Sequence, residues 1–324
     1  MQRVRAAPVF RNNARPSRGR QPMWFKTLRI YRLTAPLTCE ADALSERLEA
    51  YPFKPCGGLD LSRTGWVPAL DAAAGGYVHS HADHHLLCAR TQTRLLPAAA
   101  VREAVDDRVA EQEAREGRKL GRRERSELKD DTVANLLPRA LTRSQLTRAV
   151  LIESKGLLLI DARATARAED LLSLLRETLG TLAVKPLVPA RSPVEIMTAW
   201  LAGTRPPNSL SLGQHCDLRD PLHQANMVRC RAQELATKEV RNHLEAGKTV
   251  ASLGLEWSGR LQFVLAEDLS LSAIKYLDVR ERDGGYEGEG DAEQLARLDA
   301  DFVLMSMELD KLVTDLLEVF GSAE

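Results

Sequence analysis

Apolar and polar positions alternate from Trp24 to Leu33, WFKTLRIYRL, and predict a β-strand; Cys39 to Tyr51 predicts a short helix with Leu44 and Leu48 on one face. GWVPAL, YVHSHADHHLLCAR and the following RLLP read as further short strands punctuated by Gly and Pro, so the first third is expected to form an α+β sheet module. From 98 to 131 the pattern becomes one long helical stretch, mostly charged and short of apolar anchors after Val109, which should project into solvent. Sheet character returns in RAVLIESKGLLLIDA, with Ser154-Lys155-Gly156 as the turn. A helix with Ala168, Leu171, Leu172, Leu175 and Leu179 on one face then stops at Gly180, before a strand in LAVKPLV. After a Pro-rich break at Arg205 to Asn208, a helix ends at Gly247, paired strands surround Trp257 to Arg260, and a loop at Asp283 to Gly290 is flexible by composition. The closing segment spaces Leu295, Leu298, Phe302, Met305, Leu309, Leu312, Leu316 and Val319 by threes and fours, a stripe that predicts internal core rather than a partner seam. The expected division is a disordered basic extension over 1–22, a central sheet region from 23–97 and 132–204, a projecting charged region over 98–131, and a C-terminal α+β region over 205–324.

Composition narrows the class. The 324 residues suffice for one extended core or two to three subdomains, and charges interrupt every Leu-rich run well short of the roughly 18–20 apolar residues of a membrane span. Five cysteines, Cys39, Cys56, Cys88, Cys216 and Cys230, form no CxxC pair and suit reduced thiols in a cytoplasmic protein. Equal numbers of basic and acidic residues, 45 each, hide a polarity: residues 1–35 carry Arg and Lys without an acid, and the segment after Leu277 is acidic. The first 22 residues lack the apolar core of a secretory signal; they are either a basic tail with weak phosphate affinity or sequence upstream of a start at Met23.

Two motifs invite chemistry. His79-Ser80-His81-Ala82-Asp83-His84 matches the HxHxDH zinc signature of metallo-β-lactamase-like hydrolases, and His79, His81, Asp83 and His84 are the ligand types that zinc takes. That signature belongs between a strand and a helix, whereas Leu86 to Arg90 reads as a strand and makes the cluster a hairpin turn; His215, His223 and His243 lie in no ligand-like context. Glu245 to Thr249 ends like a phosphate-binding loop, but Asn242 stands where its first Gly belongs, so Gly247 is better read as a helix cap with Lys248 at the helix's negative end. No serine or cysteine nucleophile signature is present, and no cofactor is implied.

The charged helical stretch is more informative. Arg118, Arg122, Arg125 and Lys129 are spaced four, three and four apart and are expected on one helix face, flanked by Lys119 and Arg123 and continued by Arg139 and Arg143. Such a row can follow a phosphate backbone without reading bases. It can equally be a solvated face balanced by Glu116, Glu124 and Glu127.

MWFKTLRIYRL at Met23 to Leu33 resembles the amino terminus of RdgC proteins, and further matches follow in the family's order. These are PFKPCG at Pro52 to Gly57, GWVP at Gly65 to Pro68, CAR at Cys88 to Arg90, RKL at Arg118 to Leu120 and LLPRA at Leu136 to Ala140, then AEDLLSLLR, NHLEAGK, RLQFVL and DADFVLM. The resemblance covers nearly the whole chain from Met23. It implies a horseshoe-shaped α+β subunit that dimerises at both ends into a ring around double-stranded DNA. The implied role is a non-enzymatic, nucleoid-associated protein that limits RecA-dependent strand exchange by occupying the duplex. Carried over residue by residue, it marks Arg118 and Gln233 as DNA contacts, with Arg231 a nearby cation. Ala232 departs from a Lys that relatives can carry, an absence that Arg229 and Arg231 could compensate; Leu141 departs from a Phe at a ring-closing contact beside Arg139. Leu141 could also be ordinary core. Two other readings stay open: a zinc-dependent hydrolase, and a scaffold that meets recombination proteins through its acidic C-terminal region.

Overall fold

The computed structural model describes residues 23–37, 40–71, 75–223, 225–277 and 291–323. The expected basic extension over 1–22, Cys39 and the loop at Asp283 to Gly290 lie outside the described residues.

In chain order the elements are β1 (Arg29–Leu33), α1 (Ala41–Glu49), β2 (Ser62–Trp66), β3 (Val78–His81), β4 (His84–Arg94), α2 (Ala98–Glu116), α3 (Arg122–Leu136), β5 (Thr142–Ile152), β6 (Leu157–Ile160), α4 (Thr165–Leu179), β7 (Val184–Pro186) and α5 (Pro193–Ala202). The chain continues through β8 (Leu210–Arg219), β9 (Met227–Arg231), α6 (Lys238–Glu245), β10 (Thr249–Trp257), β11 (Leu261–Ala266), β12 (Leu271–Tyr276) and α7 (Asp291–Phe320). The expected α+β class is what the molecule shows: one sheet in the order β2-β4-β5-β6-β1-β7, with β3 also on β4, and a second in the order β12-β11-β10-β8-β9, every pairing antiparallel.

The runs AVLI in β5 and LLLI in β6 are apolar throughout because both faces of the first sheet are covered. Ala149, Leu151, Leu158 and Ile160 pack with Leu44 and Leu48 of α1 and with Leu171, Leu172 and Leu175 of α4. Val150, Ile152, Leu157 and Leu159 belong instead to the core around α7, where Phe302, Met305, Leu309, Leu312 and Leu316 are buried. The same core takes Leu218, Val250, Leu253, Phe263 and Leu265 of the second sheet, so α7 is the shared layer between the sheets. The stripe expected to be core is core, although Leu295 and Val319 at its ends are only partly buried.

The alternating segment from Trp24 is divided between the sheets. Leu28 exchanges backbone hydrogen bonds of 2.9 Å with Leu271 of β12, and only from Arg29 does the chain pair with β6 and β7. Alternation reports which side chains are buried; it does not report which sheet takes them. Among the described residues, no helix is long and apolar enough to cross a membrane.

Candidate nucleic-acid interface

β4 and β5 pair over eleven residues each, from His84 opposite Ile152 to Arg94 opposite Thr142, and the charged region leaves and re-enters the sheet at the end of this ladder. The expected single helix over 98–131 is instead a hairpin of two helices. Gly117 adopts φ 67°, a left-handed conformation that suits glycine, and its N–H closes α2 on the Glu113 carbonyl. Gly121 then caps α3, with its N–H donated to Glu124 Oε2 at 2.8 Å. Contacts from Arg108 to Thr132 and from Arg125 to Glu113 run antiparallel along the pair, and Val109, Leu120, Thr132 and Leu137 supply its small buried seam. At 19 residues α2 is about 28 Å long, and α2 and α3 pack chiefly on each other. Its base is clamped by Arg94, whose guanidinium donates to the carbonyls of Leu137 at 2.6 Å, Ala140 at 3.2 Å and Gly57 at 2.9 Å.

This geometry corrects the cationic row. Arg118 lies in the turn between the helices, not on a helix face with Arg122, Arg125 and Lys129. It is held by Glu124 at 2.5 Å and Glu116 at 2.8 Å, contacts that raise its pKa and bring the Glu124 carboxyl down to about 2. Arg125 pairs with Glu113 and Arg123 with Glu127, each at 2.8–2.9 Å. Arg122 and Lys129 are exposed and have no acidic partner among the described residues, whereas exposed Lys119 acts electrostatically on Glu113; Arg122, Arg125 and Lys129 keep a common face of α3. The predicted acidic balance is therefore real for half of the row. Charge is also graded along the hairpin: residues 115–129, around the turn, hold seven Arg or Lys and three Glu, while the acids Glu103, Asp106, Asp107, Asp130 and Asp131 lie nearer the base. Arg115 joins this distal group and was not singled out from the sequence. The two glycines in REGRKLGRRE were the legible signal for the turn.

Arg139 is exposed in a short 3-10 turn at the hairpin base, and Arg143 is exposed on β5 opposite Thr93. Leu141, between them, is 78% exposed and so is no part of the core. The N–H of Leu95, just past β4, donates to the Leu141 carbonyl, and Leu59, Leu61 and Leu95 are exposed in the same part of the molecule. Arg231 and Gln233 sit elsewhere, at and beyond the end of edge strand β9 of the second sheet. Arg231 is engaged by Asp217 at 2.8 Å, Ala232 takes φ 51°, and Gln233 is exposed in the turn that follows. The residues expected to meet DNA thus fall in two places, at and beside the helical hairpin and at the end of β9 in the second sheet.

The histidine cluster is a hairpin turn between β3 and β4, as the strand pattern predicts, with His81 opposite His84. Its side chains diverge. His79 Nε2 meets Asp299 at 2.8 Å and its ring abuts Phe302 edge-on, while His84 lies between Asp83 at 3.1 Å and Asp310 at 3.7 Å. His85 bridges Ser80 and Glu153, Asp83 accepts from Ser154, and His81 is exposed. Among the described residues no three His, Cys, Asp or Glu side chains converge in a way that could hold a metal ion. The cluster fastens the β3–β4 end of the first sheet to α7.

Comparison with known proteins places this architecture. A family model described as "Putative exonuclease, RdgC" matches residues 23–323. The recombination-associated protein RdgC of Aeromonas hydrophila is 39% identical over 303 residues, covering 93% of this chain and 99% of the relative. The protein of the same name from Halorhodospira halophila is 42% identical over 300 residues, covering 92% and 98%, and that from Tolumonas auensis is 38% identical over 300 residues, again 92% and 98%.

Proposed function

The chain belongs to the RdgC family, and from that premise we propose that it binds double-stranded DNA without reading sequence, as a homodimeric ring of two horseshoe-shaped subunits that limits RecA-dependent strand exchange in recombination at the nucleoid. The observation that carries the reading is the helical hairpin, whose distal part is rich in Arg and Lys and leaves Arg122 and Lys129 without acidic partners among the described residues. Such cations on an internally braced element can meet phosphates without first breaking an ion pair. Arg229, Arg231 and Gln233 offer a second contact surface on the other sheet. Exposed Leu141, with Leu59, Leu61 and Leu95 nearby, is suited to an interface between copies.

A salt series of duplex-binding measurements tests the proposal. For the wild type, log K should fall by about 0.9 per phosphate neutralised for each decade of salt. Reversing Arg122 and Lys129 to Glu together should weaken binding at least tenfold and flatten that slope by about 2. A wild-type affinity independent of salt, or a variant that binds like wild type, overturns it. Leu141→Asp should impair dimer formation in sedimentation, and slower escape from closed circles than from linear DNA with free ends is the signature of encirclement. The family description also contains an exonuclease; release of nucleotides from linear duplex in magnesium by the same preparation would establish that activity.

A further inference from the structure

Two of the cysteines that the sequence scatters far apart face each other in the fold. Cys216 of β8 and Cys230 of β9 are direct partners in the antiparallel register, flanked by the pairs His215 with Arg231 and Asp217 with Arg229. Alternation sends those flanking residues and the cysteines to opposite faces of the sheet. Both thiols point into the core, Cys216 with 0% and Cys230 with 6% of its surface exposed, and the register sets them directly opposite each other. We propose that this pair is an oxidative modification site, closing to a cross-strand disulfide that staples the edge strand β9 to β8.

Opposed residues on an antiparallel pair have Cβ atoms about 4.5–5.5 Å apart. A disulfide needs about 3.5–4.5 Å, so closure asks for a shift of about 1 Å. β9 can supply it because among the described residues it is an edge strand, bonded on one side only. The other described cysteines have no such partner: Cys88 is buried on β4, and Cys56 donates its S–H to the Gln92 carbonyl.

The oxidant is a hydroperoxide. Cys230, the cysteine nearer solvent, loses its proton and attacks the outer peroxide oxygen, breaking the O–O bond and leaving a sulfenic acid and an alcohol, or water from hydrogen peroxide. Cys216 then attacks that sulfur and displaces water, its proton leaving with the departing oxygen. In sum, two thiols and one hydroperoxide give one disulfide, one alcohol and one water. Burial and the neighbouring thiol push Cys216 up to about 12, so the second step is slow at neutral pH and the site answers sustained oxidation rather than brief exposure. The staple would hold the strand that carries Arg229 and Arg231, but its formation does not depend on the DNA-binding reading.

The test uses the full chain treated with graded hydrogen peroxide, unfolded in the presence of N-ethylmaleimide, digested and mapped by mass spectrometry. The expected product is a peptide pair joined through Cys216 and Cys230, lighter than the two thiols by two hydrogens and separated by dithiothreitol. Amide exchange across Met227 to Arg231 should slow at least tenfold in the oxidised protein. Cys230→Ala should abolish the linked product, and wild-type mapping stands even if that variant folds poorly. Recovery of Cys216 and Cys230 as separate alkylated thiols while half-buried Cys56 is oxidised, or linkage of either to another cysteine, overturns the proposal.

Discussion

Thr178 shows how one side chain can anchor two layers. It lies on α4, donates to the Leu174 carbonyl, and accepts the indole N–H of Trp66 at 2.8 Å in a buried setting. Thr178→Val keeps the shape and removes the acceptor, so the Trp66 N–H is stranded away from water. Loss of about 1–3 kcal/mol in denaturant unfolding is expected, and Trp66→Phe should cost less in that background than in the wild type. Glu124 makes the opposite kind of contact, exposed but strongly organised. Its carboxyl is held at about 2 by the Arg118 guanidinium first and the Gly121 N–H second. The folded value is below the ordinary one, so the contribution to the turn is complete above about pH 4.5 and is lost as pH falls through about 2. Carboxyl-carbon NMR should give a midpoint near 2, whereas a midpoint near 4.5 would mean that the pair does not form in solution.

At the scale of elements, the α2–α3 hairpin sets stability and binding against each other. Arg118 is the residue that the family resemblance marks for DNA, yet it braces the turn through Glu116 and Glu124. Glu124→Gln should release one partner and remove one negative charge, raising duplex affinity by about two- to fivefold at low salt while lowering the protection of the Gly117 to Gly121 amides. An unchanged affinity in a band-shift titration would assign Arg118 to the turn alone. This hairpin also shows where sequence reading fails. Spacing of four, three and four assumes a continuous helix, and the non-helical stretch from Arg118 to the extended Gly121 breaks the phase before α3 begins at Arg122. β5, β6, α4 and the α7 stripe were legible because burial on defined faces forces periodicity. The charged helices bury little, so their pattern carried little information about their ends. The histidine hairpin was legible for the same reason as the strands: Leu86 and Leu87 alternate between two cores.

At the scale of the whole molecule, α7 decides whether the sheets behave as one body. Its buried positions pack on Val150 and Ile152 of the first sheet and on Leu253 and Phe263 of the second, and the crossing of the chain at Leu28 ties the same two sheets through the backbone. None of this was visible in the order of elements, because a 30-residue amphipathic stripe fits one covered face as well as two. Phe302 is the sharpest probe: fully buried, it stacks edge-on with His79 of β3 while sharing the core with the second sheet. Phe302→Ala removes a large side chain from a site walled on both sides, where collapse is restricted, and a loss of about 3–5 kcal/mol is expected. If α7 couples the sheets, the loss must fall on both. Hydrogen exchange of the slowest amides in β5 and in β10 should accelerate together and by the same factor, and thermal unfolding should remain a single transition at a lower temperature. Acceleration confined to one sheet, or a thermal trace that splits in two, would show the sheets to be independent units that α7 merely touches.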